Sequence, residues 1–317
     1  MLSGMSLNGH ALRHARGCSM KLKKLALADK GLFRRFLRAE SHELSVYSFE
    51  NIFIWKGLFE ISWGISSGNL CVFFKDKIGS FMYLPPLGRG NKAKSLLEAF
   101  ALMGRVNENE DICRVENIEE KGLGWFKEKG FSCYEKPPEY LCLRQRLADL
   151  KGDNYKSKRA ACNYFEKNYS FECAPYADKY KKGCLKLYEA WVKQRSSPDR
   201  GALYKGMLSD ARVCLKSLLD NFSGLNLKGI TVIIGKEIKA FTFGFEINRE
   251  SFCVLFEVAD LSLKGIAQLI FREFCRQLKG YKYINIMDDS GLENLKRVKL
   301  SYHPFKPVPG YVATKKS

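Results

Sequence analysis

The chain has 317 residues, 46% apolar and 13% aromatic, enough to bury one large core or two ordinary ones. Its 53 basic residues against 34 acidic ones give a net charge of +19, which favours polyanionic partners such as RNA or an anionic lipid surface. No stretch reaches the roughly 18 consecutive apolar residues of a membrane span, and the 11 cysteines never form Cys-x-x-Cys. With four histidines and none near a cysteine at ligand spacing except His14 and Cys18, the composition argues against a metal site and for buried thiols. The expected location is therefore the reducing cytoplasm, with the inner face of the membrane as a peripheral surface.

Met1 to Ser19 carries basic residues but no apolar run of signal-peptide length, and is expected to be a disordered leader. Lys30 to Glu40 reads as a helix with Leu32, Phe33, Phe36 and Leu37 inward, and Phe49 to Ile65 as aromatic-rich strand or helix. Gly68 to Leu84 reads as two strands, followed by PPLGRG and a helix with Leu96, Leu97 and Phe100 on one side. Strand DICRVENI, a helix in KGLGWFKEKGF and strand material at Tyr140 to Leu147 complete this half. LADLKGD is the linker candidate. Beyond it, Lys156, Lys158 and Arg159 open a helix interleaved with Tyr155, Tyr164 and Tyr169, a combination suited to phosphate contacts and base stacking.

Helices are expected over Tyr176 to Gln194, ended by SSPDRG, and over Tyr204 to Phe222; a hairpin then turns at Gly235-Lys236. An apolar strand ends near Glu257, and Gly265 precedes Ile266, Leu269, Ile270, Phe274 and Leu278 at helical spacing. That helix, starting at Lys264 and Gly265, would turn its unpaired N–H groups toward the carboxyl end of the strand, where an anion could dock. A strand over Tyr281 to Met287 ends in Asp288 and Asp289. Gly291 then opens a short helix with Lys296, Arg297 and Lys299.

The order hairpin, glycine, helix, strand, helix thus occurs twice, at an offset of about 170 to 177 residues. It predicts a duplicated α/β domain with two mixed sheets. Residues 1–19 would be the leader, 20–150 the first copy and 151–317 the second, with the junction between Arg146 and Tyr155.

Gly-x-Ser-x-Gly, a Walker loop and His-Glu-x-x-His are all absent. Acyl transfer without a covalent enzyme intermediate fits better: it needs a positioned donor, cations or N–H groups for the oxyanion, and a carboxylate to take the nucleophile's proton. Glu257 is the first candidate for that base, with Asp288 and Asp289 next. Glu257, Asn285 and Asp289 are expected to share a pocket beside Gly265, flanked by Lys264, Lys296 and Lys299, with Tyr302 completing the substrate-binding set.

The strand, glycine turn and helix resemble the GNAT acyltransferase fold, through Pro85-x-x-Gly88-x-Gly90 and Ser262-x-x-Gly265-x-Ala267, both without the leading Gln or Arg of that family's coenzyme-binding turn. A tandem version is a closer match. From Met20 onward the chain resembles the C-terminal domain family of phosphatidylglycerol lysyltransferases and its stand-alone bacterial relatives, through LKKLALADKGLFRRFL, SVYSFENIFIW, LPPLG, LADLKGDNYKSKRAACNYFEKNY, GIAQLIFREF and INIMDDSGLENLKRVKLSYHP. Asn285, Asp288, Asp289, Gly291 and Lys299 match the family pattern. Val258, Met287 and the stretch Asn294-Leu295-Lys296 depart from it, where the family often has Lys, an acid and Gly-x-Arg. The resemblance implies an aminoacyltransferase that moves an amino acid from aminoacyl-tRNA, as co-substrate, to a lipid or another amine or hydroxyl acceptor. Two other readings stay open: a coenzyme A thioester as the donor, and a non-catalytic RNA- or membrane-binding protein of the same fold.

Overall fold

In a computed structural model, residues 20–195 and 201–316 are described; the expected leader and nearly all of SSPDRG lie outside them. In chain order the elements begin β1 (Lys23–Lys24), α1 (Lys30–Leu37), α2 (Phe49–Ile54), β2 (Glu60–Ser66), β3 (Asn69–Lys75), β4 (Ser80–Met82), α3 (Lys92–Val106), β5 (Arg114–Glu119), α4 (Glu120–Glu128) and β6 (Phe131–Glu135). They continue with β7 (Glu139–Leu143), α5 (Arg144–Asp149), α6 (Lys156–Asn168), β8 (Glu172–Pro175), α7 (Lys181–Arg195) and α8 (Ala202–Asp220). The last are β9 (Leu227–Ile234), β10 (Glu237–Glu246), β11 (Ser251–Ala259), α9 (Ile266–Gln277), β12 (Tyr283–Asn285), α10 (Glu293–Leu300), β13 (Lys306–Val308) and β14 (Gly310–Lys315).

These form two mixed seven-stranded sheets, ordered β1-β2-β3-β4-β5-β14-β6 and β8-β9-β10-β11-β12-β7-β13. Read position by position, the orders correspond. In each sheet one pair is parallel, β4 with β5 and β11 with β12, and the other pairs are antiparallel. The sixth position is exchanged: β14 fills it in the first sheet and β7 in the second.

That exchange corrects the expected junction. Unit 1 comprises the chain up to Pro137 together with Pro309–Ser317, and unit 2 is Pro138–Val308. The strand read at Tyr140 to Leu147 was assigned to the first copy, yet β7 pairs with β12 and β13 in unit 2. The linker candidate is α5, whose Leu147 and Ala148 are buried, with Leu150 behind them, in the core of unit 2. Pro137-Pro138 makes the break, because neither residue can donate a ladder hydrogen bond.

The core of unit 2 lies between the sheet and helices α6 and α9. Phe165, Val232, Phe252, Leu269, Ile270, Phe274 and Ile284 are all at most 1% exposed, each contributing about 1.5–3 kcal/mol by burial. Gly265 caps α9 with φ of +92°, and a Cβ there would stand 2.1 Å from the Ala161 carbonyl oxygen on α6. Only glycine tolerates both the backbone conformation and that approach.

Candidate active site

Across the parallel pair β11/β12, Cys253 faces Asn285, and the two strands carry the chain toward Glu257 and Asp289. Glu257 is half-buried near the end of β11. Burial pushes its carboxyl up to about 7 although Lys299 and Lys158 both pull it down. No described residue donates a hydrogen bond to it. Lys299 reaches in from α10 and donates to the Ile286 carbonyl; burial lowers its pKa, opposed by Asp288, Glu257 and Glu139. Lys158 enters from α6, donates to Ser301 Oγ at 2.9 Å and lies 3.8 Å from the centre of the Tyr302 ring. Its pKa too is lowered by burial and raised by Glu257. The Tyr302 ring packs on Phe271 at 4.7 Å, and burial, reinforced by the Glu257 charge, keeps its hydroxyl protonated. One carboxyl, two ammonium groups and a phenol therefore converge.

The remaining expected residues are distributed differently. Asn285 is fully buried, donates to Glu139 Oε2 at 2.5 Å and accepts from the Met287 N–H at 2.7 Å. Met287 takes a left-handed φ of +61°. Asp289, also buried, accepts from the Tyr140 hydroxyl at 2.6 Å and the Gly291 N–H at 2.9 Å. These two residues tie the end of β12 to β7; Glu139, which accepts from Asn285, also acts on Lys299, and Glu257 is grouped with Lys299, Lys158 and Tyr302. Asp288 caps its own turn through the Ser290 N–H at 2.7 Å while facing Lys299 electrostatically.

Gly265, expected beside a ligand, is instead required by the contact with Ala161. Lys264 is exposed, 4.8 Å from the Tyr164 ring centre, and Lys296 is exposed on α10. The expected phosphate-binding trio is divided. Lys156 faces solvent, Lys158 points into the Glu257 cluster, and Arg159 donates to the carbonyls of Leu150 and Gly152, closing the loop before α6.

The model of the family described as phosphatidylglycerol lysyltransferase, C-terminal, matches residues 38–314. The chain belongs to this family. No curated protein sequence matches it. Among solved structures, a conserved protein of unknown function from Bacteroides thetaiotaomicron VPI-5482 is similar at 27% identity and a TM-score of 0.84, covering 94% of this chain and 100% of that one. L-PGS from Bacillus licheniformis gives 16% identity and a TM-score of 0.63, covering 91% and 92%. FemX gives 10% identity and 0.58, covering 93% and 96%. The fold is that of two tandem GNAT-like domains, each built on a mixed sheet with one parallel pair.

Within this family member, sequence reasoning missed Glu139, Tyr140 and Ser301 as neighbours of the site. A glutamate inside the apolar run EYLCL is the signal that could have found Glu139, since a buried carboxylate needs a partner. Among the described residues no helix is long and apolar enough to cross a membrane.

Proposed function

We propose that unit 2 transfers an aminoacyl group from aminoacyl-tRNA to an amine or hydroxyl acceptor, a lipid headgroup being the acceptor that the family's description suggests. The observation that carries this reading is Glu257, a half-buried carboxyl near 7 with cations and a phenol around it. At neutral pH a useful fraction is ionised and can still take a proton, the condition for a general base. The acceptor N–H or O–H gives its proton to Glu257 as its N or O bonds to the ester carbonyl carbon. The ammonium groups of Lys158 and Lys299 stabilise the negative oxygen that develops. The carbonyl re-forms as the 3′ oxygen of the tRNA leaves, and Glu257 returns a proton to it. An aminoacyl ester is already activated, so positioning and charge suffice. The glycine turn that suggested coenzyme A is accounted for by packing at Ala161, so the donor is assigned on family membership and chemistry.

The test is a pair of incubations of the full chain with phosphatidylglycerol vesicles, one with tRNA carrying a labelled amino acid and one with labelled acetyl-coenzyme A. Label passing from tRNA to the lipid or another amine or hydroxyl is expected. Transfer from the thioester alone would reject the tRNA donor. Binding of tRNA or vesicles with no transfer from either donor would make the protein a non-catalytic member.

A further inference from the structure

Three residues beyond Glu257, β11 has ended and Asp260 lines a groove of about 280 Å³ between α7 and the β9–β10 hairpin. Extended chain rises about 3.3 Å per residue, so the groove begins roughly 10 Å from the carboxyl read as the base. Leu187, Ile233 and Ile238 give it an apolar floor. Helix and hairpin approach closely there, since a Cβ on Gly183 would stand 2.6 Å from Ile238 Cγ1.

The rim is charged, and its charges do not balance. Lys186 and Lys239 both pair with Glu237, at 3.2 and 3.0 Å, and Lys239 also reaches Asp260 at 3.3 Å. Two lysines thus meet two carboxylates. Lys179 and Lys236, both exposed, have no carboxylate partner among the described residues, which leaves the groove two positive charges in excess. Lys179 Nζ stands 4.9 Å from the centre of the half-buried Tyr180 ring, which also lines the groove. Unpaired ammonium groups beside an aromatic ring suit a single-stranded nucleic acid: the cations follow its backbone and the ring takes a base. The volume falls below the roughly 300–1,000 Å³ of sites that enclose a whole small molecule. It suits one unit of a polymer.

We propose that this groove binds the single-stranded 3′ end of the donor tRNA just upstream of its esterified nucleotide, with phosphates at Lys179 and Lys236 and one base on Tyr180. A bilayer surface offers phosphates but no ring to stack, so the aromatic wall favours RNA. The inference rests on the reading of unit 2 as an aminoacyl-tRNA-dependent transferase and says how that donor is held.

Binding of deacylated tRNA to the full chain, titrated against salt, tests the groove without requiring turnover. Lys179→Gln combined with Lys236→Gln should reduce the slope of log affinity against log salt by about 1.4, or about 0.7 for each single-strand phosphate. At 0.1 M salt that is about 25-fold weaker binding, if the two proteins converge at 1 M. Tyr180→Leu should weaken binding by about tenfold, the scale of one stacked base, and leave the slope unchanged. The lysine double variant should keep its affinity for phosphatidylglycerol vesicles. In transfer it should show a raised KM for aminoacyl-tRNA, with kcat unchanged, and an unaltered KM for 3′-aminoacyl-adenosine, which lacks the upstream phosphates. An unchanged slope in the double variant, unchanged affinity in Tyr180→Leu, or loss of vesicle binding with tRNA binding retained would each overturn the proposal. If Tyr180→Leu does not fold, the lysine results decide it. If neither donor supports transfer, the transferase reading falls and the binding results still decide the groove.

Discussion

The two units share a sheet order and a parallel pair, and they treat their key carboxylates in opposite ways. Burial acts against ionisation at both Glu119 and Glu257. At Glu119 it is outweighed by His42, the Glu43 N–H and Lys121, which hold the carboxyl down at about 2. At Glu257, with no hydrogen-bond donor among the described residues, burial prevails and the carboxyl rises to about 7. Donor geometry, more than depth, separates a carboxylate that holds the fold together from one able to exchange a proton.

The sharpest way to break this comparison is to remove each acid in turn. Glu257→Gln should lower transfer by about 10²–10⁴-fold, the usual worth of a general base, with no fall in Tm. A parallel loss of stability would make Glu257 structural. Glu119→Gln should leave transfer measurable but cost about 3–5 kcal/mol in denaturant unfolding, because it strands the groups that surround a buried charge. A smaller effect is expected at the glycines. Gly265→Ala should cost about 3 kcal/mol, since the added Cβ meets backbone, whereas Gly122→Ala should gain up to about 1 kcal/mol of helix propensity.

Acid titration followed by hydrogen exchange in each unit sharpens the contrast through its sign. Glu119 has a folded pKa below its ordinary 4.5, so its stabilisation of unit 1 is present above pH 4.5 and lost as pH falls toward 2. Glu257 has a raised pKa, so unit 2 is favoured below pH 4.5 and loses that advantage as pH rises toward 7. Glu257→Gln should remove the second dependence and leave the first. The smallest expected effect separates two basic residues in the first turns of α6. Lys156→Gln should reduce the slope of log tRNA affinity against log salt by about 0.7 if it meets one single-stranded phosphate. Arg159→Gln, whose guanidinium is committed to two carbonyls, should leave that slope unchanged while lowering Tm.

Much of this frame was legible because it is local. The Gly235-Lys236 turn, the start of α1 and the apolar face of α9 follow from spacing and turn chemistry, and the repeated order disclosed the duplication. Glu257 was readable as an acid inside an apolar strand. Lys156, Lys158 and Arg159 misled because residues in one helical turn point in different directions, and the packing of α6 on α9 at Ala161 decides which of them faces inward. The run EYLCL looks the same whichever sheet it joins. Its pairing with β12, roughly 140 residues later, depends on partners that no local pattern names. β8 is too short to leave a periodic signal.

The exchanged strands also impose an order on biosynthesis. While unit 2 is being translated, β5 and β6 await β14, and their backbone N–H and C=O groups form an open gap. Such edges invite pairing with whatever strand is nearest. The nearest is β7, which follows β6 after three residues, two of them the prolines that cannot extend a ladder. A β6–β7 hairpin would have to turn through Lys136 and the two prolines, whose fixed φ restricts the turns that three residues can make. Replacing both prolines should give a nascent chain that pairs β6 with β7, traps unit 1 in the wrong sheet and leaves β12 without its neighbour.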